Sequence, residues 1–201
     1  MTPLRALVCA LAAVTLVWIA GCGEQPPEDP GLIADDLGVG LTLGMDVAAA
    51  REAAGRGASN TSVEVLTRDE LNRRQPYAGQ ANIEALVLAV YIPYPDSGQP
   101  LPGMAYKQIT EIRCYLPGAA DTAVELLGEP ISIVTPESLV AALGEAADRV
   151  TDSSGDTHLT FRFAVPEDLS PTAARAMVEL VTSHAPDGRC WALRLALTLA
   201  E

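Results

Sequence analysis

The chain has 201 residues, with 26 Asp and Glu against 13 Lys and Arg, and its formal net charge is −13. Affinity for nucleic acid or for an anionic lipid surface comes largely from Lys and Arg, so this charge argues against both as partners. The length suffices for one compact domain, or two small ones, with a hydrophobic core.

The N-terminus predicts export from the cytoplasm. Arg5 gives a weakly basic start, and residues 6–20 form an apolar run of signal-peptide length that ends in small residues. Residues 19–22, with the sequence Ile-Ala-Gly-Cys, resemble the lipobox of bacterial lipoproteins. The resemblance implies a signal peptide over residues 1–21 and a diacylglyceryl group on Cys22. An uncleaved signal anchor and an ordinary signal peptide with a free Cys22 are the alternatives.

The lipid on Cys22 would hold the protein on a membrane, because two or three acyl chains anchor stably where one chain holds only marginally. Gly23 follows the cysteine. In bacteria with two membranes this resembles the pattern sorted to the outer membrane, which implies an anchored protein on its periplasmic side. Cleavage removes Arg5 and no acidic residue, so the mature chain is one charge more negative.

A tether is predicted next, over residues 22–36, because Pro26, Pro27 and Pro30 stand among acidic residues with little to bury. Residues 37–117 then form a first predicted α+β unit. Asp46 is a candidate N-cap for a helix over 47–54. Val, Ile, Leu and Tyr between turn residues predict strands over 62–67, 83–92 and 106–116.

Residues 118–201 form a second predicted unit with a similar plan. Helices are predicted over residues 119–127, 136–143 and about 171–181, and strands over 158–165 and 189–199. Thr135 followed by Pro136 is typical of a helix start. The predicted fold class is therefore α+β, with two loosely repeated units of helices and antiparallel strands packed as one compact region after the tether.

Short helix-boundary motifs carry a family resemblance. Residues 44–46 (Gly-Met-Asp) open a helix, and residues 127–130 (Leu-Gly-Glu-Pro) close one. They look like signals of the small α+β lipoproteins of outer-membrane assembly, which share their unit fold with β-lactamase inhibitor protein repeats. The resemblance implies two such units over residues 37–199 and non-enzymatic protein binding. It assigns no individual binding residue.

Cys114 and Cys190 are an even pair once Cys9 leaves with the signal peptide and Cys22 carries lipid. Both lie in strand-like runs, and an exported protein meets conditions that permit disulfides, so a bridge between them is predicted. Two buried free thiols are the alternative. A metal site is disfavoured because nearby Cys or His partners are missing.

A search for catalytic motifs finds no nucleophile elbow, paired-histidine zinc motif or phosphate-binding loop. His158, at a strand start, and His184, after a predicted helix, are interpreted as surface or structural groups. Asp152, Ser154 and Asp156 have the spacing of calcium ligands, but the required Gly and Glu of that loop are replaced, which favours a solvated turn. No catalytic residue, metal or cofactor is predicted.

Tyr94 is the candidate binding residue, because it lies in a turn between Pro93 and Pro95 and a rigid, exposed tyrosine makes a good interface anchor. The sequence thus favours a lipid-anchored envelope lipoprotein that acts as a non-enzymatic protein-binding or structural module for an envelope partner. An extracytoplasmic hydrolase and a ligand-binding lipoprotein are the alternatives.

Overall fold

The computed structural model describes residues 40–56, 61–73, 85–91, 93, 107–116, 124–165 and 176–199. The predicted signal peptide (1–21), the tether (22–36) and the predicted boundary at 117–118 lie outside these residues and stay predictions. Within the described ranges the helices are α1 (Val47–Ala54), α2 (Arg68–Arg73) and α3 (Pro136–Leu143), with a 3₁₀ turn at Ile131–Ile133. The strands are β1 (Thr61–Thr67), β2 (Ala85–Tyr91), β3 (Ile109–Tyr115), β4 (Glu125–Leu126), β5 (Glu129–Pro130), β6 (Asp148–Thr151), β7 (Thr157–Ala164), β8 (Ala176–His184) and β9 (Cys190–Leu199).

The main feature is one seven-stranded mixed sheet with the strand order β1-β2-β3-β9-β8-β7-β6. β1 and β2 pair in parallel, and every other neighbouring pair in this sheet is antiparallel. The predicted α+β fold of two repeated units is therefore wrong. β3 from the first half pairs directly with β9 from the second, so both halves build the same sheet.

Two of the predicted helices are wrong where the structure describes them. The end of the helix expected over 119–127 is instead the hairpin of β4 and β5, because Leu127 and Gly128 both have positive φ, of 57° and 77°. Positive φ at both central residues is what a two-residue hairpin turn of type I′ requires. The helix expected to reach about residue 181 is replaced from Ala176 onward by β8, which pairs with β7 on one side and β9 on the other.

The other helix boundaries are confirmed by their caps. The Asp46 carboxylate accepts a hydrogen bond from the Ala48 N–H at 2.7 Å, which begins α1. α3 begins with a reciprocal capping box, in which Thr135 and Ser138 each accept the other's backbone N–H. Predicted strands also match β1, β2, β3, β7 and β9 to within a few residues at each end.

The two faces of the sheet differ in what covers them. One face carries the main core, in which β-strand residues such as Ile112, Leu195 and Phe161 pack with Val47 of α1 and Leu139 of α3. Among the described residues, α2 lies on the opposite face above β1 and β2, where Leu71 packs on a small cluster that consists of Leu86, Leu88 and Val90. From β3 to β7 this second face carries charged side chains, such as Glu111 and Arg194, among apolar ones, such as Ala196 and Val181.

Among the described residues, none of the helices combines the length and the apolar character needed to cross a membrane.

Candidate functional site

Glu111 is a buried carboxylate on the second face of the sheet. Side chains alternate between faces along a strand, so Ile112 and Cys114 of β3 enter the main core while Glu111 and Arg113 lie on the other side. The Glu111 side chain has no exposed surface. A buried ionised carboxylate is unfavourable unless charged partners bind it, so its neighbours decide its state.

Three arginines bind this carboxylate from three different elements. Arg194 of β9 donates through Nε to Glu111 Oε1 at 3.0 Å, and Arg68 of α2 donates through Nη2 to Oε2 at 2.9 Å. Arg113 of β3 also donates through Nε to Oε1. Arg113 and Arg194 are directly opposite each other in the sheet, where two like charges repel. The Glu111 carboxylate between them offsets this repulsion.

The charged network continues across the next two strands. Arg194 also donates through Nη1 to Oε1 of Glu179 on β8 at 2.9 Å, and Arg162 of β7 places Nε 3.5 Å from Glu179 Oε2. We call the four arginines and two glutamates of this network the arginine strip: Arg68, Arg113, Arg162, Arg194, Glu111 and Glu179. Its formal charge is +2, opposite in sign to that of the chain.

Glu111 stays ionised at neutral pH despite its burial. Burial alone would raise the pKa of this carboxyl, but the hydrogen bond from Arg113 and the charges of Arg194 and Arg113 outweigh that effect. The pKa of Glu111 is therefore below its usual value of 4.5. At neutral pH the arginines are consequently held in place by the negative charge of Glu111.

The arginines remain accessible to a partner. The side chains of Arg113 and Arg194 keep 30% and 31% of their surface exposed, and those of Arg68 and Arg162 keep 50% each. A guanidinium has five N–H donors, more than the contacts within the strip use. Planar guanidinium donors bind carboxylates and phosphates through paired hydrogen bonds, so the strip can bind an anionic group from outside.

His158 connects a serine and an aspartate. Its Nδ1 lies 2.9 Å from Ser183 Oγ on β8, and its Nε2 lies 3.4 Å from Asp152 Oδ2 in the loop between β6 and β7. Serine, histidine and aspartate are the residues of a hydrolytic triad, but there the serine contacts Nε2 and the aspartate contacts Nδ1. Here the ring nitrogens have the opposite roles.

The surroundings of Ser183 also favour a structural role. Ser183 is in register with His158 on one side and Ala192 on the other, so it lies within a strand that is paired on both sides. We therefore interpret the His158 contacts as a cross-strand pair that orients the β6–β7 loop.

Asp152 organises that loop. Its Oδ1 accepts hydrogen bonds from the Ser154 N–H at 2.8 Å, the Ser154 hydroxyl at 2.6 Å and the Asp156 N–H at 3.1 Å. The pKa of Asp152 is lowered to about 2. The hydrogen bond from the Ser154 hydroxyl makes the largest contribution, and the contact with His158 lowers the pKa further. Within the described ranges, no cluster of three or more His, Cys, Asp or Glu side chains could hold a metal ion.

His184 is a buried histidine at the turn between β8 and β9. Its Nδ1 lies 3.2 Å from the Gly188 carbonyl oxygen and its Nε2 lies 3.0 Å from the Thr182 hydroxyl, which is also buried. Burial lowers the pKa of His184 below 6.5, so the ring is neutral at pH 7. Both ring nitrogens therefore have hydrogen-bond partners inside the protein.

Cys114 and Cys190, the residues of the predicted disulfide, are buried free thiols in this structure. They lie on the neighbouring strands β3 and β9, but Cys114 is in register with Leu193 rather than with Cys190. That offset of three residues spans roughly 10 Å, and a disulfide joins Cα atoms at most about 7 Å apart. A bridge thus requires backbone movement, and it stays a prediction.

Burial also makes these thiols poor nucleophiles. It raises the pKa of Cys114 strongly, and it raises the pKa of Cys190 to about 12. The thiolate is the reactive form of cysteine, so neither side chain reacts readily at neutral pH while the protein is folded.

The predicted lipid site Cys22 and the predicted binding residue Tyr94 lie outside the described residues, so both stay predictions. The arginine strip, in contrast, was missed from the sequence. A signal for it was present, because Arg194 is the only charged residue of β9 and Glu111 and Arg113 alternate with apolar residues in β3. Charges at alternate positions of otherwise apolar strands indicate a polar face, although they do not identify the partners.

Comparisons with protein-family models, curated proteins and solved structures find no match to this chain.

Proposed function

We propose that this protein is a lipid-anchored lipoprotein of the bacterial cell envelope that binds an acidic segment of another envelope protein through the arginine strip. The observation that supports the proposal is the set of arginines bound to the buried Glu111 carboxylate. These contacts hold partly exposed cationic side chains in position on the second face of the sheet. The proposed role is non-enzymatic.

Charge favours this surface over the rest of the protein. The chain carries a formal charge of −13, so an acidic segment is repelled by most of its surface and attracted by the arginine strip. Arg113 and Arg194 are already ordered by Glu111, and Arg162 and Arg194 by Glu179. Binding therefore loses less side-chain entropy than it would with free surface arginines.

The test uses a fluorescein-labelled hexaglutamate peptide and fluorescence anisotropy. A double variant, Arg68→Gln with Arg162→Gln, removes the two most exposed cations of the strip. We expect its Kd to rise about tenfold, which corresponds to about 1.4 kcal/mol from two partly exposed charges. Binding should also weaken between about 0.05 M and 0.5 M salt because exposed charges are screened.

The matched control is Arg56→Gln with Arg149→Gln. It makes the same change in net charge but alters two exposed arginines outside the strip, which pair with Glu52 and Glu137 respectively. The proposal requires that this control bind the peptide like the wild type. Equal weakening in both double variants would mean that binding follows net charge alone, and the strip would lose its assigned role.

The proposed anchor rests on residues 19–22 and is tested separately. Cys22→Ala should abolish incorporation of labelled palmitate and leave an uncleaved precursor. Cys9→Ala, in the same signal sequence, is the control and should be labelled normally. Labelled fatty acid on the Cys22→Ala protein would contradict lipidation at this cysteine.

A hydrolase is the second candidate function, favoured by the 2.9 Å contact of His158 with Ser183. The test is hydrolysis of p-nitrophenyl acetate. If Ser183 were a nucleophile, Ser183→Ala would abolish a measurable activity and Ser154→Ala, in the neighbouring loop, would not. We expect no difference among the wild type and the two variants, because the ring nitrogens of His158 have the reverse of the triad arrangement.

A further inference from the structure

A cleft of about 430 Å³ lies where the start of α1 meets the end of β2 and the residues just before β3. This size is within the range of pockets that bind small molecules. None of the residues that line the cleft belongs to the arginine strip. Its lining residues are Asp46, Val47, Ala48, Arg51, Tyr91, Pro93 and Lys107.

Two cations line the cleft. Arg51 donates through Nη2 to the Tyr91 hydroxyl at 3.3 Å, and its guanidinium carbon lies 5.8 Å from the centre of the Tyr91 ring. These two contacts orient the guanidinium beside the Tyr91 ring and leave further N–H donors for a ligand. Lys107 is the chain's single lysine, and its ammonium makes no ion pair with any described residue.

Lys107 is held in position by its backbone. Its carbonyl oxygen accepts a hydrogen bond from the Val47 N–H at 2.9 Å, so it is attached to the first residue of α1. Its φ is 66°, a left-handed conformation that is uncommon for a residue other than glycine. Such a conformation persists only where the surroundings enforce it, and it is found preferentially at functional sites.

One carboxylate also lines the cleft, and it is already occupied. Asp46 Oδ1 accepts the Ala48 N–H as the cap of α1. With two cations and one carboxylate, the lining has a formal charge of +1. Val47 and Pro93 provide apolar surface beside the Tyr91 ring.

We infer that this cleft binds a small molecule with a carboxylate or phosphate group and a compact apolar body. Arg51 and Lys107 would bind the anionic group. The Tyr91 ring and the Pro93 side chain would contact the apolar part, as in pockets where a few polar groups orient an otherwise apolar ligand. The inference is independent of the proposed arginine strip.

The test is an NMR titration of the full mature chain with two probes, inorganic phosphate and benzoate. We expect saturable shifts of the Val47, Ala48 and Lys107 amide signals, with a Kd on the order of 1 mM for the better probe. A lower Kd for phosphate assigns a phosphate ligand, and a lower Kd for benzoate assigns a carboxylate with an apolar body.

Two variants test the cations, and a third is the matched control. Arg51→Gln and Lys107→Asn should each raise the Kd of the better probe about fivefold or more. Asn is chosen because it tolerates a left-handed backbone. Arg56→Gln, on the turn that follows α1 and outside the cleft, should leave the Kd unchanged.

The inference is overturned if neither probe gives saturable shifts up to about 50 mM, a concentration at which even a weak specific site would fill. It is also overturned if Arg51→Gln and Lys107→Asn, with well-dispersed native spectra, bind like the wild type. Loss of peptide binding at the arginine strip would have no bearing on either result, so the two proposals fail separately.

Discussion

Glu111→Gln should destabilise the protein far more than any exposed acidic substitution. The change keeps the shape of the side chain but removes the negative charge that Arg68, Arg113 and Arg194 share. Breaking a buried ion pair by removing one partner costs about 3–5 kcal/mol. The arginine side chains keep 30–50% of their surface exposed, so water compensates part of this loss. We expect the free energy of unfolding to fall by about 2–4 kcal/mol.

Urea unfolding at pH 7 measures this loss, and Glu52→Gln is the control. Glu52 forms an ion pair with Arg56 at 3.1 Å, but 75% of its side chain is exposed. Exposed pairs contribute little, so the control should lose less than about 0.5 kcal/mol. If the two variants have the same stability, the buried carboxylate does not hold the arginine strip together and the reasoning is refuted.

The pH dependence gives a second check on Glu111. Its pKa in the folded protein is below the usual value of 4.5, so its stabilising effect is complete above pH 4.5. That effect is lost as the pH falls from 4.5 through the folded-state pKa. The difference in the free energy of unfolding between the wild type and Glu111→Gln should therefore become smaller below pH 4.5. A difference that stays constant through this range would contradict the lowered pKa.

Three further predictions concern other residues. His184→Gln should lose about 1–3 kcal/mol because both ring nitrogens are hydrogen-bonded in a buried site. The folded-state pKa of His184 lies below 6.5, so the free energy of unfolding of the wild type should fall as the pH drops from 6.5 toward that lower pKa. Urea unfolding of His184→Gln should not show this decrease. Cys114 and Cys190 should resist iodoacetamide in the native protein, because both thiols are buried. In denaturant without reductant, iodoacetamide should modify both thiols. If it modifies neither thiol in denaturant, the two cysteines form the disulfide. Tyr94→Ala should weaken capture of an envelope partner by about 2 kcal/mol with an unchanged melting temperature, and a large drop in that temperature would indicate a core residue.

Local signals in the sequence were sufficient for the elements that depend on nearby residues. The caps of α1 and α3 act over two or three positions, through Asp46 with Ala48 and through Thr135 with Ser138. Each could therefore be predicted without knowledge of the rest of the fold.

Local signals failed where distant strands decide the structure. Residues 176–181 follow a helix-start signal at Ser170 and Pro171, and they were predicted as helix. In the folded chain β8 lies between β7 and β9, where it alternates buried Val178 and Leu180 with residues of the second face. Pairing on both sides outweighs a weak local preference.

By itself the sequence determined the strong net negative charge, the caps of α1 and α3 and most of the strands. Only the tertiary structure decided that β3 and β9 are neighbours and that Glu111 binds Arg68 and Arg194. These partners are 43 and 83 positions away along the chain. Strand alternation determines the side on which a charge lies, but its partners depend on strand order and register, which the long-range pairing of the whole sheet determines.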